Sequence, residues 1–216
     1  MINNIEWKTS NNLVEYNFAV SEMKKRVLEI KKNSAFEMVW LLEHNSIFTA
    51  GTSAKLEDLK NSKVNFQYTG RGGQWTWHGP GQRVVYLMLN LNNRLQDVKA
   101  YIYALEELII LTLKDFYIDG VRISGQPGVW VKDNNGCDKI AALGIRISSW
   151  ITFHGISINV NPNLDEFNNI VPCGIKNSGI TSFYKLGKKI ALEELDINLK
   201  KNFNKIFGNE GLFKLK

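Results

Sequence analysis

Cysteine is scarce in this sequence, and so is histidine. The 216 residues include two cysteines, Cys137 and Cys173, and three histidines. Because the cysteines lie in unlike contexts, they suit a reducing compartment better than a disulfide framework. The histidines, at positions 44, 78 and 154, show no short paired spacing, and neither cysteine lies near another ligand in the sequence. No zinc signature is present, so we expect no metal site.

Long apolar runs and targeting patterns are also missing. The longest apolar runs, at 84–89 and 108–113, are far shorter than the ~20 residues that span a bilayer. The N-terminus has no charged-then-apolar signal pattern, and Glu6 and Glu15 argue against a transit peptide. We therefore expect a cytoplasmic protein that engages no membrane. The chain also lacks a phosphate-binding P-loop and a GxSxG nucleophile elbow, and we expect neither a cofactor nor a nucleic-acid partner.

The composition is that of an ordinary globular protein, with 44% hydrophobic and 22% charged residues. Its 27 basic and 21 acidic residues give a net charge of +6. This charge favours an acidic partner, although a lysine-rich solubilising surface is the simpler explanation of the charge alone. The length suits one domain, residues 1–216, with a continuous core.

Hydrophobic spacing predicts an α+β fold. Helical spacing occurs over 12–32, from Asp97 onward, at 163–169 and over 191–207. In the first helix Ser10, Asn11 and Asn12 are the capping candidates, and Phe18 and Leu28 belong to the apolar positions. Strands are predicted at 36–42, 64–68, 83–91, 128–132, 139–148 and 150–160, with a hairpin turn at 133–136. Since hairpins outnumber βαβ units, we expect a largely antiparallel mixed sheet flanked by helices.

A glycine-rich loop stands out at 70–81. Its glycines, at 70, 72, 73, 79 and 81, let the backbone approach a ligand closely. Trp75 and Trp77 alternate with Gln74, Thr76 and His78, so one face is bulky and apolar while the other carries hydrogen-bonding groups. This pattern is typical of a pocket wall, although a tight connection between two strands explains the glycines equally well.

Two residues outside the loop are candidates for chemistry. Cys173 lies between Pro172 and Gly174, which permit a sharp turn that presents the thiol to a pocket. A small buried hydrophobic residue is, however, the commoner role of an isolated cysteine. Lys139 begins a strand of small and apolar residues, where a lysine can carry protons, unless it is simply exposed at the strand end. Cys137, in a polar hairpin loop, is assigned no role.

The motifs taken together resemble those of the lipoyl(octanoyl) transferases. They follow the family's order over nearly the whole chain: Arg71-Gly72-Gly73-Gln74 through Thr76, His78-Gly79-Pro80-Gly81-Gln82, Lys139 to Arg146, His154-Gly155 with Asn159, and Pro172-Cys173-Gly174-Ile175. The resemblance implies the fold of the catalytic domain of biotin and lipoate protein ligases. It also implies that Cys173 is the acyl-thioester nucleophile and that Lys139 lowers the pKa of its thiol.

The same resemblance implies a set of substrate-contacting positions. They are Arg71, Gly72, Gly73, Gln74, Trp75, Thr76, Trp77, His78, Ala142, Leu143, Gly144, Gly155, Ile156 and Ser157. Trp75 and Trp77 are bulkier than the residues that many family members carry, which bears on the acyl chain length.

The activity implied by the resemblance is a step of protein lipoylation. An octanoyl (or lipoyl) group would pass from octanoyl-acyl carrier protein, through a Cys173 thioester, to a specific lysine of a lipoyl domain. The acceptors would be the lipoyl domains of 2-oxoacid dehydrogenase E2 subunits and the glycine cleavage H protein. Two other classes stay open: an ATP-dependent lipoate or biotin ligase, and a noncatalytic carrier-protein binding module. Cys173 in its turn speaks against the first, and the presence of both Cys173 and Lys139 speaks against the second.

Overall fold

The structure is a computed structural model that describes residues 5–133, 136–172, 179–208, 211 and 213. The predicted nucleophile Cys173 lies outside the described residues. In chain order the regular elements are β1 (Glu6–Thr9), α1 (Tyr16–Lys31), β2 (Met38–Leu42), β3 (Ile47–Ala50), β4 (Phe66–Tyr68), β5 (Trp75–His78), β6 (Gln82–Met88), α2 (Val98–Asp115), β7 (Gly120–Ile123), β8 (Gln126–Asp133), β9 (Gly136–Ser148), β10 (Ile151–Asn159) and α3 (Leu192–Phe207). Short 3-10 helices cover Leu56–Asp58, Leu91–Asn93 and Leu164–Asn169.

Seven strands form a main sheet in the order β1-β2-β6-β10-β9-β8-β7. β1 pairs with β2 in parallel, and the other neighbours pair in antiparallel fashion. A smaller sheet has the order β4-β3-β5, with β3 parallel to β4 and antiparallel to β5. The predicted α+β fold with a largely antiparallel mixed sheet is therefore confirmed.

Helices cover both faces of the main sheet, and β2 shows how this requires apolar residues along a whole strand. All five of its residues are buried, although alternate residues of a strand point to opposite faces. Val39 and Leu41 pack in one cluster with α2 and α3, whereas Trp40 and its even-numbered neighbours pack with α1. A strand that is covered on both faces needs apolar residues throughout, which explains the uninterrupted run MVWLL.

Helix α2 begins as the sequence predicts. The side chain of Asp97 accepts hydrogen bonds from the backbone N–H groups of Lys99, at 2.8 Å, and Ala100, at 3.0 Å. These bonds satisfy two donors that have no partner within the helix.

Among the described residues, no helix is long and apolar enough to cross a membrane.

Helix α1 differs from its prediction in both its start and its buried face. It begins at Tyr16 instead of near residue 12, and no side chain caps it, so capping by Ser10 to Asn12 was wrong. Phe18 and Leu28, 54% and 59% exposed, were wrongly assigned to the apolar face. The buried stripe consists of Tyr16, Ala19, Met23, Val27 and Ile30. Only this narrow stripe contacts the sheet, since the opposite face of a surface helix meets solvent.

The β8–β9 hairpin is longer than predicted, because β9 starts at Gly136. Lys139 therefore lies within a strand, and so does Cys137, which was wrongly placed in the hairpin loop. Lys139 is also only 4% exposed, so the alternative of an exposed lysine at a strand end is wrong. Strands β1, β3, β5 and β7 were not predicted, and each is only four residues long. β1 and β7 are also edge strands with a partly polar sequence.

Candidate active site

A cavity of about 340 Å³ is lined by residues of both sheets. Its walls include Lys139 and the predicted substrate-contacting positions Arg71, Gly72, Gly73, Gln74, Trp75, Thr76, His78, Ala142, Leu143, Gly144, Gly155, Ile156 and Ser157. The sequence reasoning missed several further lining residues, including Tyr16, Ser53, Val84, Tyr86, Ile102, Gly125, Gln126, Pro127 and Ile145. The fold thus brings the three predicted segments, 71–78, 139–144 and 155–157, together around one cavity, while their contact with substrate stays a prediction.

Trp77 does not line this cavity, in contrast to the prediction. Its Nε1 donates to Ser46 Oγ at 2.9 Å, and its ring packs edge-on against Phe167 at 5.6 Å between centroids. Strand alternation explains this position, because Thr76 and His78 occupy the other face of β5 and reach the cavity. The hydrogen-bonding face of β5 therefore contributes more to the pocket wall than the tryptophan face, although Trp75 also reaches the cavity.

Arg71 is the buried cation of the glycine-rich loop, with 6% of its surface exposed. Its Nη2 donates to the carbonyl and the hydroxyl of Thr49, both at 2.7 Å, and its Nη1 donates to the carbonyl of Gly72 at 3.0 Å. A Cβ on Gly144 would lie 3.0 Å from Arg71 Cδ, which is tighter than ordinary packing allows. The glycine on β9 therefore leaves room for the arginine side chain.

Lys139 lies in the cavity wall on β9. Its Nζ donates to the carbonyl of Pro127 at 3.0 Å and lies 4.5 Å from the centroid of the Trp130 ring. Within the described part of the chain, no carboxylate lies within ion-pairing distance of this ammonium. A buried ammonium held by a carbonyl and an aromatic face is well suited to interact with an anion in the cavity, and its neutral amine form can accept a proton there.

The backbone of Lys139 also holds the chain that follows the undescribed residues 173–178. The Lys139 N–H donates to the carbonyl of Gly179, and the Thr181 N–H donates to the carbonyl of Lys139, both at 3.0 Å. On the other side of residues 173–178, the Val171 N–H donates to the carbonyl of Asp58 at 2.7 Å. Both flanks of the predicted Cys173 motif are thus hydrogen-bonded to the folded chain.

The three histidines, which are far apart in the sequence, gather around Tyr86. The ring centroids of His44 and His154 lie 5.7 and 6.0 Å from that of Tyr86, and His44 and His78 are 5.8 Å apart. His44 Nδ1 lies 2.6 Å from the carbonyl of Val14, and its Nε2 lies 2.7 Å from the Tyr86 hydroxyl. Because a carbonyl only accepts, His44 carries its proton on Nδ1 and accepts the Tyr86 proton at Nε2.

These histidines are uncharged near neutral pH. Burial lowers the pKa of His44 to about 4 and those of His78 and His154 to about 3, and the nearby Arg71 charge adds to the effect at His78 and His154. Burial raises the pKa of the Tyr86 phenol well above its ordinary value. No grouping of three or more His, Cys, Asp or Glu side chains that could hold a metal ion occurs in the described ranges.

The family model of the lipoyl protein ligase A/B catalytic domain matches residues 15–204 of this chain. The chain belongs to this family. The match runs from the residue before α1 into α3, and it includes the cavity residues and Cys173. The family resemblance drawn from the motifs is thus confirmed.

Relatives within the lipoyl protein ligase A/B family are about half identical to this chain. A protein named octanoyltransferase from Bartonella tribocorum is 52% identical over 214 residues, which cover 94% of this chain and 87% of that protein. A protein of the same name from Wolbachia pipientis wMel is 48% identical over 203 residues, covering 94% of this chain and 99% of that protein.

Solved structures of lipoate ligases share the fold of this family member. A bipartite lipoate protein ligase from Thermoplasma acidophilum matches with a TM-score of 0.69 at 12% identity, over 94% of this chain and 84% of that chain. A lipoate-protein ligase A bound with ATP matches with a TM-score of 0.66 at 11% identity, over 93% of this chain and 85% of that chain. The predicted likeness to lipoate ligase catalytic domains is confirmed at the level of the fold.

Proposed function

We propose that this chain is an octanoyltransferase that moves an octanoyl group from octanoyl-acyl carrier protein, through a thioester on Cys173, to a specific lysine of a lipoyl domain. The enzyme class rests on octanoyltransferase relatives that are 52% and 48% identical over most of the chain. The observation that carries the proposal is the buried Lys139 ammonium in the wall of a largely apolar cavity. Transfer of an octanoyl group through a cysteine thioester uses an apolar pocket for the chain and a proton carrier next to it.

The cavity walls suit a medium-length acyl chain. Val84, Ile102, Leu143 and Ile156 offer apolar surface, and Ala142 and the neighbouring glycines leave room beside it. Burial of the six interior methylenes of an octanoyl chain contributes about 5 kcal/mol, at roughly 0.8 kcal/mol each. This transfer energy binds the acyl chain without any charged group on it. A lipoyl group is the second acyl group that this proposal allows.

In the first half-reaction, Lys139 takes the thiol proton of Cys173, and the sulfur attacks the carbonyl carbon of the donor thioester. The bond between this carbon and the pantetheine sulfur breaks, and the departing sulfur receives the proton from Lys139. Support comes from the backbone pairing of Lys139 with Gly179 and Thr181, which adjoin residues 173–178. The thioester formed is close in energy to the one consumed, so this step needs no ATP.

In the second half-reaction, the amine of the acceptor lysine attacks the Cys173 thioester. Lys139 accepts a proton from the amine, the carbon–sulfur bond breaks, and the Cys173 sulfur recovers the proton. An amide replaces the thioester, which makes the transfer favourable. Backbone N–H groups near Gly174 or Leu143 are candidates to hold the oxyanion in both steps.

The partners follow from this chemistry and from the family. Membership of a lipoyl ligase and transferase family supports lipoyl domains as acceptors. The specific partners that we propose are octanoyl-acyl carrier protein as donor and, as acceptors, the 2-oxoacid dehydrogenase E2 lipoyl domains and the glycine cleavage H protein. Two cysteines of unlike context suit a reducing compartment, so we propose that the protein acts in the cytoplasm.

Intact mass spectrometry after incubation with octanoyl carrier protein, without acceptor or ATP, tests the proposal. We expect one octanoyl group on the wild type and on Cys137→Ser, and none on Cys173→Ser. Adding a lipoyl domain should then remove the acyl group and acylate one lysine of the domain. Transfer that requires ATP would assign the chain to the ligases instead, and binding of carrier protein without any acylation would identify a noncatalytic module.

A further inference from the structure

A chain of buried hydrogen bonds leads away from the cavity behind His78. Gln82 Oε1 lies 2.7 Å from His78 Nδ1, and Gln82 Nε2 donates to Asn159 Oδ1 at 3.0 Å and to the carbonyl of Trp77 at 3.3 Å. Asn159 Nδ2 in turn donates to the carbonyl of Thr181 at 3.0 Å. All of these side chains are buried: Gln82 is 1% exposed, Asn159 5% and His78 7%.

The two backbone carbonyls fix the direction of every bond in this chain. A carbonyl only accepts, so Asn159 must turn its amide nitrogen toward Thr181 and its oxygen toward Gln82. Gln82 must then donate to Asn159 and Trp77, which leaves its oxygen facing His78. An oxygen that only accepts requires the proton of a neutral imidazole to be on Nδ1.

We propose that Gln82 and Asn159 are positioning residues that hold His78 as the Nδ1–H tautomer, so that its unprotonated Nε2 accepts an N–H of the attacking amine in the cavity. His78 lines the cavity, whereas Gln82, which holds Nδ1, does not, so Nε2 is the nitrogen available to a substrate. The inference rests on the proposed function, because the amine is the acceptor lysine of the second half-reaction.

An acceptor at this position aligns an amine without competing for its proton. The attacking nitrogen must direct its lone pair at the thioester carbon, so its N–H bonds need partners elsewhere. The pKa of His78, lowered to about 3 by burial, makes the ring too weak a base to take the proton. The proton therefore goes to Lys139. With the other tautomer, an N–H would point at the amine and donate to the lone pair that must attack the thioester.

Hydrogen bonds through Thr181 connect the His78–Gln82–Asn159 chain with Lys139. The Thr181 carbonyl anchors Asn159, while the N–H of the same residue donates to the carbonyl of Lys139 at 3.0 Å. A displacement of Asn159 would thus be felt both at the His78 ring and at the backbone of the proposed proton carrier. This arrangement explains the burial of two amide side chains beside a largely apolar cavity.

Nitrogen NMR of histidine-labelled protein tests the tautomer directly, since the sequence has only three histidines. In the wild type we expect the His78 proton on Nδ1. Gln82→Met is nearly isosteric and removes the acceptor, so both tautomers of His78 should appear. Gln82→Glu keeps an acceptor beside Nδ1 but gives up the donor to Asn159 and Trp77. The proton should therefore stay on Nδ1, and the added negative charge should raise the His78 pKa. His44, held by the Val14 carbonyl, is the internal control and should not change. A wild-type His78 with its proton on Nε2 would overturn the proposal.

Separate measurement of the two half-reactions tests the role of the tautomer. For Gln82→Met we expect amine attack on the isolated acyl-enzyme to slow roughly 2- to 10-fold, the equivalent of one hydrogen bond, while acylation of Cys173 by octanoyl carrier protein stays within about twofold of the wild type. Gln96→Met, at an exposed glutamine, is the matched control and should change neither rate. The proposal would be contradicted if both half-reactions slowed equally or if neither of them slowed.

The variants also separate this proposal from the proposed function. Thermal unfolding of both Gln82 variants checks that they fold. If Gln82→Met does not fold, the histidine spectrum and the amine-attack rate of Gln82→Glu test the proposal instead. A wild-type enzyme that octanoyl carrier protein never acylates refutes the octanoyl transfer, whereas the His78 spectrum still establishes or refutes the tautomer.

Discussion

Arg83 on β6 and Asp196 on α3 form a buried ion pair across the sheet–helix interface, with Nη2 donating to Oδ2 at 3.1 Å and Nε 3.0 Å from Oδ1. The side chains are 4% and 13% exposed. Burial nevertheless raises the pKa of Asp196 from 3.8 to about 6, because the attraction of Arg83 does not offset desolvation and the nearby charges of Glu193 and Glu43.

The shifted pKa of Asp196 predicts a pH-dependent effect of Asp196→Asn on stability. Between pH 4 and 6 the folded protein keeps a proton on Asp196 that the unfolded chain has lost. As pH rises through this range, the free energy of unfolding of the wild type should therefore fall relative to that of the variant, by on the order of 2 kcal/mol. Urea unfolding of both proteins at several pH values measures this difference. Asp115→Asn is the control with the opposite sign, since Lys201 and Asn202 lower the Asp115 pKa. A pH-independent difference for Asp196→Asn would contradict the prediction.

The neutral histidines predict acid destabilisation. The pKa of His154 is about 3 in the folded protein against 6.5 for a free side chain, so the unfolded chain binds a proton that the folded protein excludes. Its contribution to stability is full above pH 6.5 and declines as pH falls. His154→Asn should reduce the loss between pH 6.5 and 5 by about 2 kcal/mol. Asparagine suits the left-handed backbone at this position, where φ is 59°. Unfolding curves at pH 7 and pH 5 make the comparison, and equal losses in the two proteins would refute it.

Lys139 is predicted to control both the ionisation of Cys173 and proton transfer. Lys139→Met should shift the pH profile of Cys173 alkylation upward, since the ammonium that favours the thiolate is gone, and should lower transfer by about 10²- to 10⁴-fold. Lys139→Arg keeps a positive charge that cannot act as a base at neutral pH, so we expect alkylation closer to normal with little turnover. Alkylation of Cys137 in the same samples is the internal reference. If Lys139→Met showed the same Cys173 alkylation and the same octanoyl transfer as the wild type, Lys139 would control neither the ionisation of Cys173 nor proton transfer.

Thr49 is predicted to hold Arg71 in the cavity wall. Thr49→Val is isosteric and removes the hydroxyl that accepts from Arg71 Nη2 and Nε, at 2.7 and 3.2 Å. Hydrogen bonds to charged groups contribute about 1.5–3 kcal/mol, so we expect kcat/KM for octanoyl transfer to fall about tenfold or more. Thr49→Ser keeps the hydroxyl and should stay close to the wild type. Equal activity of the valine and serine variants would show that this contact does not position the site.

The net charge of +6 predicts electrostatic steering of an acidic donor. Raising the salt concentration should lower kcat/KM for octanoyl carrier protein far more than for a small octanoyl thioester, because only the carrier presents many charges. Steady-state kinetics at several ionic strengths compare the two donors. Equal salt sensitivity would indicate that the charge serves only as a solubilising surface.

The elements that could be predicted from the sequence are those specified by neighbouring residues. The start of α2 follows from Asp97 and the apolar periodicity behind it, and the β8–β9 hairpin follows from a cluster of turn residues. The start of α1 could not be read in this way, because Asn11 and Asn12 offer caps that the fold does not use. Local propensity is a weak prior where tertiary packing decides which turn of a helix touches the sheet.

Family motifs predicted most of the cavity wall, but the histidine cluster could not be predicted from spacing. His44, His78 and His154 follow or belong to strands of two different sheets, and only the tertiary fold, which places these sheets next to each other, brings them to Tyr86. The assignment of Trp77 to the cavity failed for a related reason. Alternation along β5 defines two faces, but it does not tell which residues of a face meet the cavity: Trp75 does, whereas Trp77 packs against Phe167.

The strand order has a consequence for chains that are truncated before the main sheet is complete. In the main sheet β10 lies between β6 and β9, and it pairs Gly155 with Tyr86 and with Gly144. A chain that ends before β10 therefore displays two unpaired strand edges, both rich in apolar residues. Such edges recruit other chains, so free truncated chains ending near residue 150 should bind chaperones and aggregate more readily than truncated chains that extend past residue 160.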